Sequence, residues 1–176
     1  MRILLVLLLA ALSAFAQVDP LDGLWQGYDG EWRHVTNQTV ALAEAIPAVK
    51  YSWRPAAGVR SVSEVLMHIT IANFGLLAAT GQKIPANLPS PRMENSVTAK
   101  PEVIAWLKRS FDAVKIARAN LKPGDLQRKV KYDRRDATVD GMYLRIIVHA
   151  NEHMGQLVAY ARMNGIAPPW SEGGGK

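Results

Sequence analysis

Three of the four histidines in this chain occupy positions from which they could bind one ligand together. His149 and His153 are four residues apart, and on an α-helix that spacing puts both rings on one face, one turn apart. His68 lies in a second apolar segment of helical character. Three imidazoles converging from two helices would form a metal site with coordination positions left open for water or substrate. In structural metal sites, protein ligands usually fill all the coordination positions. The pattern predicts a reactive metal site and says little about a substrate.

Histidines on a buried helix face also occur without a metal, bonded to carbonyl groups or to one another. For any single histidine that interpretation is favoured, but for the three together a metal site is favoured. His34 is offset from the apolar seam of its segment and is expected to face solvent. The string from His149 to His153 also fits the inverted zinc-peptidase motif, but only Glu172 in a loose tail follows as an acidic ligand. Glu152 then either orients a histidine or a bound water, or is simply exposed.

Four segments have the apolar spacing of helices that would position these side chains. They are residues 25–46, 61–79, 98–121 and 138–164. Residues 82–97 and 125–137 form long connections, and Val130 and Tyr132 indicate a brief extended piece in the second of them. The chain is therefore predicted to be all-α, a four-helix bundle with long crossing connections between helices 2 and 3 and between helices 3 and 4. Three tryptophans are predicted to fill its core: Trp25, Trp32 and Trp106.

Smaller polar and apolar residues accompany the histidines on the predicted seams. Gln156 follows His153 on the seam of helix 4, where a buried amide is costly unless something satisfies it. Ala72 and Gly75 follow His68 on the seam of helix 2. These small residues either leave a pocket above the metal or let two helices approach closely, and the sequence does not decide between the two.

The N-terminus has the pattern of a targeting segment. Arg2 precedes an apolar run from Ile3 to Leu12, and Ala14-Phe15-Ala16 matches a small-x-small cleavage site. We therefore predict a cleaved signal peptide at 1–16, a bundle domain at 17–170 and a flexible tail at 171–176. An uncleaved anchor is the alternative, but the run is short for a bilayer span. The mature protein is expected to be secreted or periplasmic, with no membrane span after cleavage.

Composition excludes several functions. Cysteine is absent, which excludes disulfides, thiolate ligands and cysteine nucleophiles. Without Arg2, 20 basic residues stand against 15 acidic ones, and this net charge of +5 does not demand an anionic partner. Tyr132 in the basic run 128–135 could stack on a base, but an exported chain seldom meets nucleic acid. A solvated connection is the preferred interpretation, and no nucleic-acid partner is predicted.

The segments 148–169 and 61–69 resemble the last and second helices of the DinB/YfiT-like family of metal-binding four-helix bundles. The resemblance rests on the histidine pair, the Gly155-Gln156 step, Tyr160-x-Arg162 and the closing glycine-x-x-proline. It implies one divalent transition metal, zinc or nickel, on three ligands: His68, His149 and His153. Met154 departs from the arginine common after the last histidine. The resemblance also suggests a homodimer.

Two classes of function follow from these residues. An exported metalloenzyme would use an ion held by neutral imidazoles for hydrolysis or group transfer on an unknown small molecule. Thiol transfer is the variant that the resemblance implies, although small thiols are chiefly cytosolic. The alternative is a non-catalytic metal-binding or ligand-binding helical module. An interaction bundle without a cofactor is the third hypothesis.

Overall fold

The structure, a computed structural model, describes residues 21–171. The predicted signal peptide at 1–16, and the predicted tail apart from Ser171, lie outside the described residues. Four long helices dominate the described part: α1 Gly27–Ala45, α2 Val62–Ala79, α3 Lys100–Ala119 and α4 Val139–Met163. Strands β1 Lys129–Tyr132 and β2 Arg135–Thr138 form an antiparallel hairpin between α3 and α4. Short 3₁₀ helices span Ala48–Lys50, Pro91–Ser96, Asp125–Gln127 and Pro169–Ser171.

Local sequence signals account for the helix ends. Ser61 caps α2 by accepting a hydrogen bond from the Glu64 amide, while the Glu64 carboxylate accepts one from the Ser61 amide, as a capping box predicts. Thr138 caps α4 through the Gly141 amide. Gly165 follows α4 with a φ of 72°, the left-handed conformation that glycine adopts at no steric cost.

The direction of the helices follows from contacts at their ends. α1 and α3 are antiparallel, because Asp29 pairs with Arg118 at one end and Lys100 donates to the carbonyls of Glu44 and Ile46 at the other. α1 and α4 are parallel. Tyr28, near the start of α1, contacts Tyr143, near the start of α4, and their ring centroids are 5.7 Å apart. α2 and α4 are antiparallel, since the Tyr160 hydroxyl donates to the carbonyl of Arg60. The bundle is therefore up-down-down-up.

This topology explains the long connection between α2 and α3. Parallel helices α2 and α3 are neighbours, so the chain between them, residues 80–99, must return along the bundle. On the way it forms the 3₁₀ helix Pro91–Ser96, which packs against α2. The connection from α3 to α4, residues 120–138, contains the hairpin. Asp133 and Arg134 both have positive φ at its turn, 47° and 63°, as tight two-residue hairpins require. The predicted fold class, both long connections and the extended piece are confirmed.

Helix α2 is the most deeply packed element. It lies against both α3 and α4, and twelve of its residues are buried. Among the described residues it is the one helix long and apolar enough to cross a membrane, yet 67% of it is buried inside the bundle. A mostly buried core helix can have the same length and apolar composition as a membrane span. The remaining core is built from the inner faces of the other helices, with side chains such as Leu42, Leu107, Tyr143 and Leu157 fully buried.

Three sequence predictions about positions need correction. Trp32 and Trp106 are buried as expected, but Trp25 is 87% exposed, because α1 begins only at Gly27 and the chain turns at Trp25 with φ 61°.

His34 does not face solvent freely. It is half-buried, and its Nδ1 lies 3.0 Å from the carbonyl oxygen of Asp22. The predicted inward seam of α2 from His68 through Ala72 to Gly75 is instead its half-buried edge, because α3 and α4 cover the other sides.

Candidate metal centre

The packing of α2 against α4 brings three histidine rings together. His68 lies in the second turn of α2, and His149 and His153 lie on successive turns in the middle of α4. The ring centroids are 4.9 Å apart for His68 and His149, 4.7 Å for His68 and His153, and 4.6 Å for His149 and His153. One nitrogen from each ring lies within 4.8 Å of the others, so the group could hold a metal ion. His34 is not part of this group.

His68 is held by a charged partner from the crossing connection. Its Nδ1 lies 2.5 Å from Oε1 of Glu94, and Glu94 in turn pairs with Arg60 at 2.6 Å. Burial alone would raise the pKa of the Glu94 carboxyl, but hydrogen bonds from Arg60 and His68 lower that pKa below its usual 4.5. Because an ionised carboxylate only accepts hydrogen bonds, Nδ1 of His68 carries the proton and Nε2 presents a lone pair.

His153 is oriented by a hydrogen-bonded chain along α4. The carbonyl of Arg60 can only accept, so the Tyr160 hydroxyl donates to it, at 3.1 Å. The Tyr160 oxygen then accepts from the Gln156 amide nitrogen, at 2.8 Å. This leaves the Gln156 oxygen facing Nδ1 of His153 at 2.8 Å, so that nitrogen must donate. Gln156 therefore occupies Nδ1 of His153, and Nε2 is the ring nitrogen that remains for a ligand.

His149 is the most buried of the three rings, at 8% exposure. Its Nε2 lies 3.1 Å from Nε2 of His68, and its Nδ1 is buried with no hydrogen-bond partner among the described residues. Burial, together with the neighbouring His153 and His68, lowers the pKa of His149 from 6.5 to about 4. Burial also lowers the pKa of His68, although Glu94 opposes the shift. These two rings are neutral at neutral pH, which is the protonation state that binds metals.

This donor set fits a divalent transition metal. Two zinc–nitrogen bonds of about 2.0–2.1 Å at a tetrahedral angle separate their nitrogens by about 3.3 Å, close to the 3.1 Å between His68 and His149. The same distance also suits a hydrogen bond, so it does not decide alone. The Nδ1 contacts of His68 and His153 carry more weight, because a partner that holds Nδ1 leaves Nε2 as the nitrogen for a metal. The group comprises three nitrogens, one fewer than a closed tetrahedral site.

Of the other predicted site residues, one forms a side-chain hydrogen bond with the cluster and the rest do not. Gln156 contacts His153 directly. Glu152 points away and forms a two-point salt bridge with Arg145, at 2.9 and 3.2 Å, with half of its side chain exposed. The exposed alternative that the sequence left open is thus the observed one. Ala72 and Gly75 lie half-buried along α2 beyond His68. A Cβ at Gly75 would meet no atom within 4 Å, so close helix packing does not require this glycine.

Sequence reasoning missed Glu94 and Arg60. Residues 82–97 show no helical or strand period, and Pro85, Pro89 and Pro91 mark them only as an irregular crossing. One signal was present, because Glu94 is the only acidic residue between Gly81 and Lys100. That signal identifies a candidate but does not indicate its partner.

Comparison with known proteins agrees with the fold. The family model described as the DinB superfamily matches residues 31–157. A DinB-like protein from Bacillus cereus ATCC 10987 superposes with a TM-score of 0.72 at 21% identity, over 82% of this chain and 95% of that chain. A DinB-like protein from Bacillus subtilis gives a TM-score of 0.61 at 19% identity, over 78% and 91%. A search of curated proteins finds no match. Since the family model covers well over half of the sequence, the chain belongs to the DinB superfamily.

Proposed function

We propose that this protein binds one divalent transition metal ion through Nε2 of His68, His149 and His153. The observation that carries the proposal is the cluster itself, in which one nitrogen from each of the three rings lies within 4.8 Å of the others. Glu94 and Gln156 contact Nδ1 of His68 and His153, which leaves Nε2 of each ring as the nitrogen available to an ion, and Nε2 of His68 lies 3.1 Å from Nε2 of His149. Zinc and nickel are the proposed metals, since neutral imidazole suits both.

We further propose that the bound ion serves chemistry on a small molecule, as a metal-dependent hydrolase or group transferase. A divalent ion held by neutral ligands supplies Lewis acidity, which activates water or a thiol and polarises a carbonyl group. Access to the cluster supports this function. The side chain of His68 is 22% exposed, and the half-buried edge of α2 continues from it through Ala72 and Gly75. Three protein nitrogens leave a position for a substrate atom.

The alternative is a non-catalytic metal-binding or ligand-binding module. One observation favours it: the histidines join α2 to α4, so an ion there would link two core helices whether or not it reacts. The two functions differ in their response to substrate. A catalytic ion requires turnover that is lost on chelation and restored by metal, whereas the module requires only binding.

Metal analysis of protein purified without an affinity tag tests the site. We expect close to one equivalent of metal in the wild type and in His34→Ala, because His34 lies outside the cluster. His149→Ala should lose the metal. Full retention of metal in a folded His149→Ala protein would refute the site. Screening the loaded protein against ester, amide and thiol-transfer substrates then separates the enzyme from the module.

We also propose that the protein is exported, with a mature N-terminus at Gln17. The support is the basic start, apolar run and Ala14-Phe15-Ala16 pattern in the sequence. Mass spectrometry of protein from its natural host should find Gln17 as the first residue, outside the cytoplasm. A cytoplasmic chain that retains Met1 would contradict export and favour chemistry with a small cytosolic thiol.

A further inference from the structure

Two of the three clustered histidines have an Nδ1 partner, and the partners differ in kind. His153 is held by Gln156, three residues away on the same helix. His68 is held by Glu94, 26 residues away on the connection that returns along the bundle. His68 is also the only ring of the cluster that α2 supplies. The orientation of the His68 ring therefore depends on a contact from the connection between α2 and α3, and not only on the packing of α2 against α4.

Glu94 is itself held firmly. Arg60, just before α2, contacts both carboxylate oxygens, with its Nε 2.6 Å from Oε2 and its Nη2 3.3 Å from Oε1. A two-point guanidinium–carboxylate pair fixes direction as well as distance. Only 16% of the Glu94 side chain is exposed. The carbonyl of Arg60 also accepts a hydrogen bond from the Tyr160 hydroxyl, which in turn holds Gln156, so both hydrogen-bonded chains to the histidines start at Arg60.

The geometry points to Glu94 as the positioning residue of the metal site: it holds the proton of His68 on Nδ1 and so directs the Nε2 lone pair toward the metal. This inference rests on the proposed function. His68 meets the carboxylate through Nδ1, and a carboxylate can only accept, so the opposite tautomer would place a lone pair against a negative charge. Partners of this kind usually contribute about 10–100-fold to metal affinity.

The experiment compares Glu94→Ala and Glu94→Gln with Glu64→Gln. Glu64 is a matched control, because it also pairs with an arginine, Arg54 at 2.8 Å, at the start of the same helix, but it does not touch a histidine. Glutamine also preserves the capping box at that position. Circular dichroism first establishes that each variant is folded. Glu94→Gln keeps the shape of the side chain if Glu94→Ala does not fold.

The first measurement is the tautomer of His68 in metal-free protein at neutral pH, from nitrogen–proton correlation spectra assigned with His68→Gln. We expect Nδ1–H in the wild type and in Glu64→Gln, and loss of this single tautomer in Glu94→Ala. In Glu94→Gln one amide oxygen replaces the two carboxylate oxygens that Arg60 and His68 share, so the fraction of Nδ1–H should be lower than in the wild type. A protein that merely lost a structural ion pair would show no such change. Nε2–H in the wild type, or unchanged Nδ1–H in Glu94→Ala, would overturn the inference.

The second measurement is zinc affinity, by competition with a chromophoric chelator. We expect affinity to fall about 10–100-fold in Glu94→Ala and to stay at the wild-type value in Glu64→Gln. Unchanged affinity in Glu94→Ala would overturn the positioning role while leaving the metal site intact. If the wild type binds no metal, the proposed function fails instead, and the tautomer still decides whether Glu94 orients His68.

Discussion

Acid should weaken the metal-free protein through His149. The folded state holds this ring neutral, with its pKa lowered from 6.5 to about 4 by burial and by two neighbouring rings. The unfolded chain binds the proton more readily, so folding is disfavoured as pH falls. The stability associated with the neutral ring is fully present above pH 6.5 and is lost as pH falls toward 4. His68 acts in the same direction, since its pKa is also lowered.

The magnitude follows from the shift. A fall in pKa from 6.5 to about 4 corresponds to about 3 kcal/mol of unfolding free energy, of which about 2 kcal/mol falls between pH 6.5 and 4.5. The lowered carboxyl pKa values of Glu64, Glu94 and Glu152 affect stability mainly below their usual 4.5, where these groups take up protons in the unfolded chain. The window above pH 4.5 therefore reports mainly on the histidines.

Urea unfolding of chelator-treated protein across this window measures the effect. The wild type should lose about 2 kcal/mol between pH 6.5 and 4.5. His149→Leu, which cannot bind the proton and keeps a buried apolar side chain, should show a clearly smaller loss. A wild type whose unfolding free energy does not change over this range would refute the reasoning. An equal loss in His149→Leu would move the cause to another group.

Four further outcomes are expected. Chelation should lower the melting temperature of the metal-loaded wild type by roughly 5–10 °C, because free metal at about 100 times the dissociation constant stabilises the folded protein by about 3 kcal/mol. The melting temperature of His68→Ala/His153→Ala should not change. An equal drop for both proteins in calorimetry would contradict the site. Ala72→Leu should keep its metal, measured by elemental analysis, but lose most of any metal-dependent activity, and full activity in the folded, loaded variant would place the substrate elsewhere. Gly75→Ala should raise the unfolding free energy by about 0.5–1 kcal/mol, because the added Cβ meets no atom within 4 Å in mid-helix. Gly30→Ala is the matched opposite, since its Cβ would lie 2.5 Å from the Gly23 carbonyl oxygen, and urea titration should show destabilisation.

The sequence alone determined the elements and the histidine cluster. The predicted segments that begin at residues 61 and 138 match α2 and α4, which Ser61 and Thr138 cap, because a capping residue acts over only three or four residues, within reach of local reasoning. The pairing of His149 with His153 was equally local, since a helix sets their spacing. His68 could be added because few other histidines were available.

Local reasoning failed where a turn or a neighbouring helix decides the environment. Trp25 matched the apolar period of α1, but the positive φ at Trp25 and the start of the helix at Gly27 leave it exposed. The residues from His68 to Gly75 had the spacing of an inward seam, but the structure places them on a half-buried edge of α2. Periodicity identifies a face of a helix, but the helices packed against it decide whether that face is buried.

Only the tertiary structure decided what holds the site. Glu94 lies in a stretch with no period, and it reaches His68 because α2 and α3 are parallel, so the chain between them must return past the start of α2. Arg60 and Tyr160 meet because α2 and α4 are antiparallel. Spacing along a helix is a property of local geometry, whereas these contacts join residues up to 100 positions apart and depend on how the helices are arranged. The sequence therefore identified the three rings, and the fold determined which nitrogen of His68 and of His153 a partner holds.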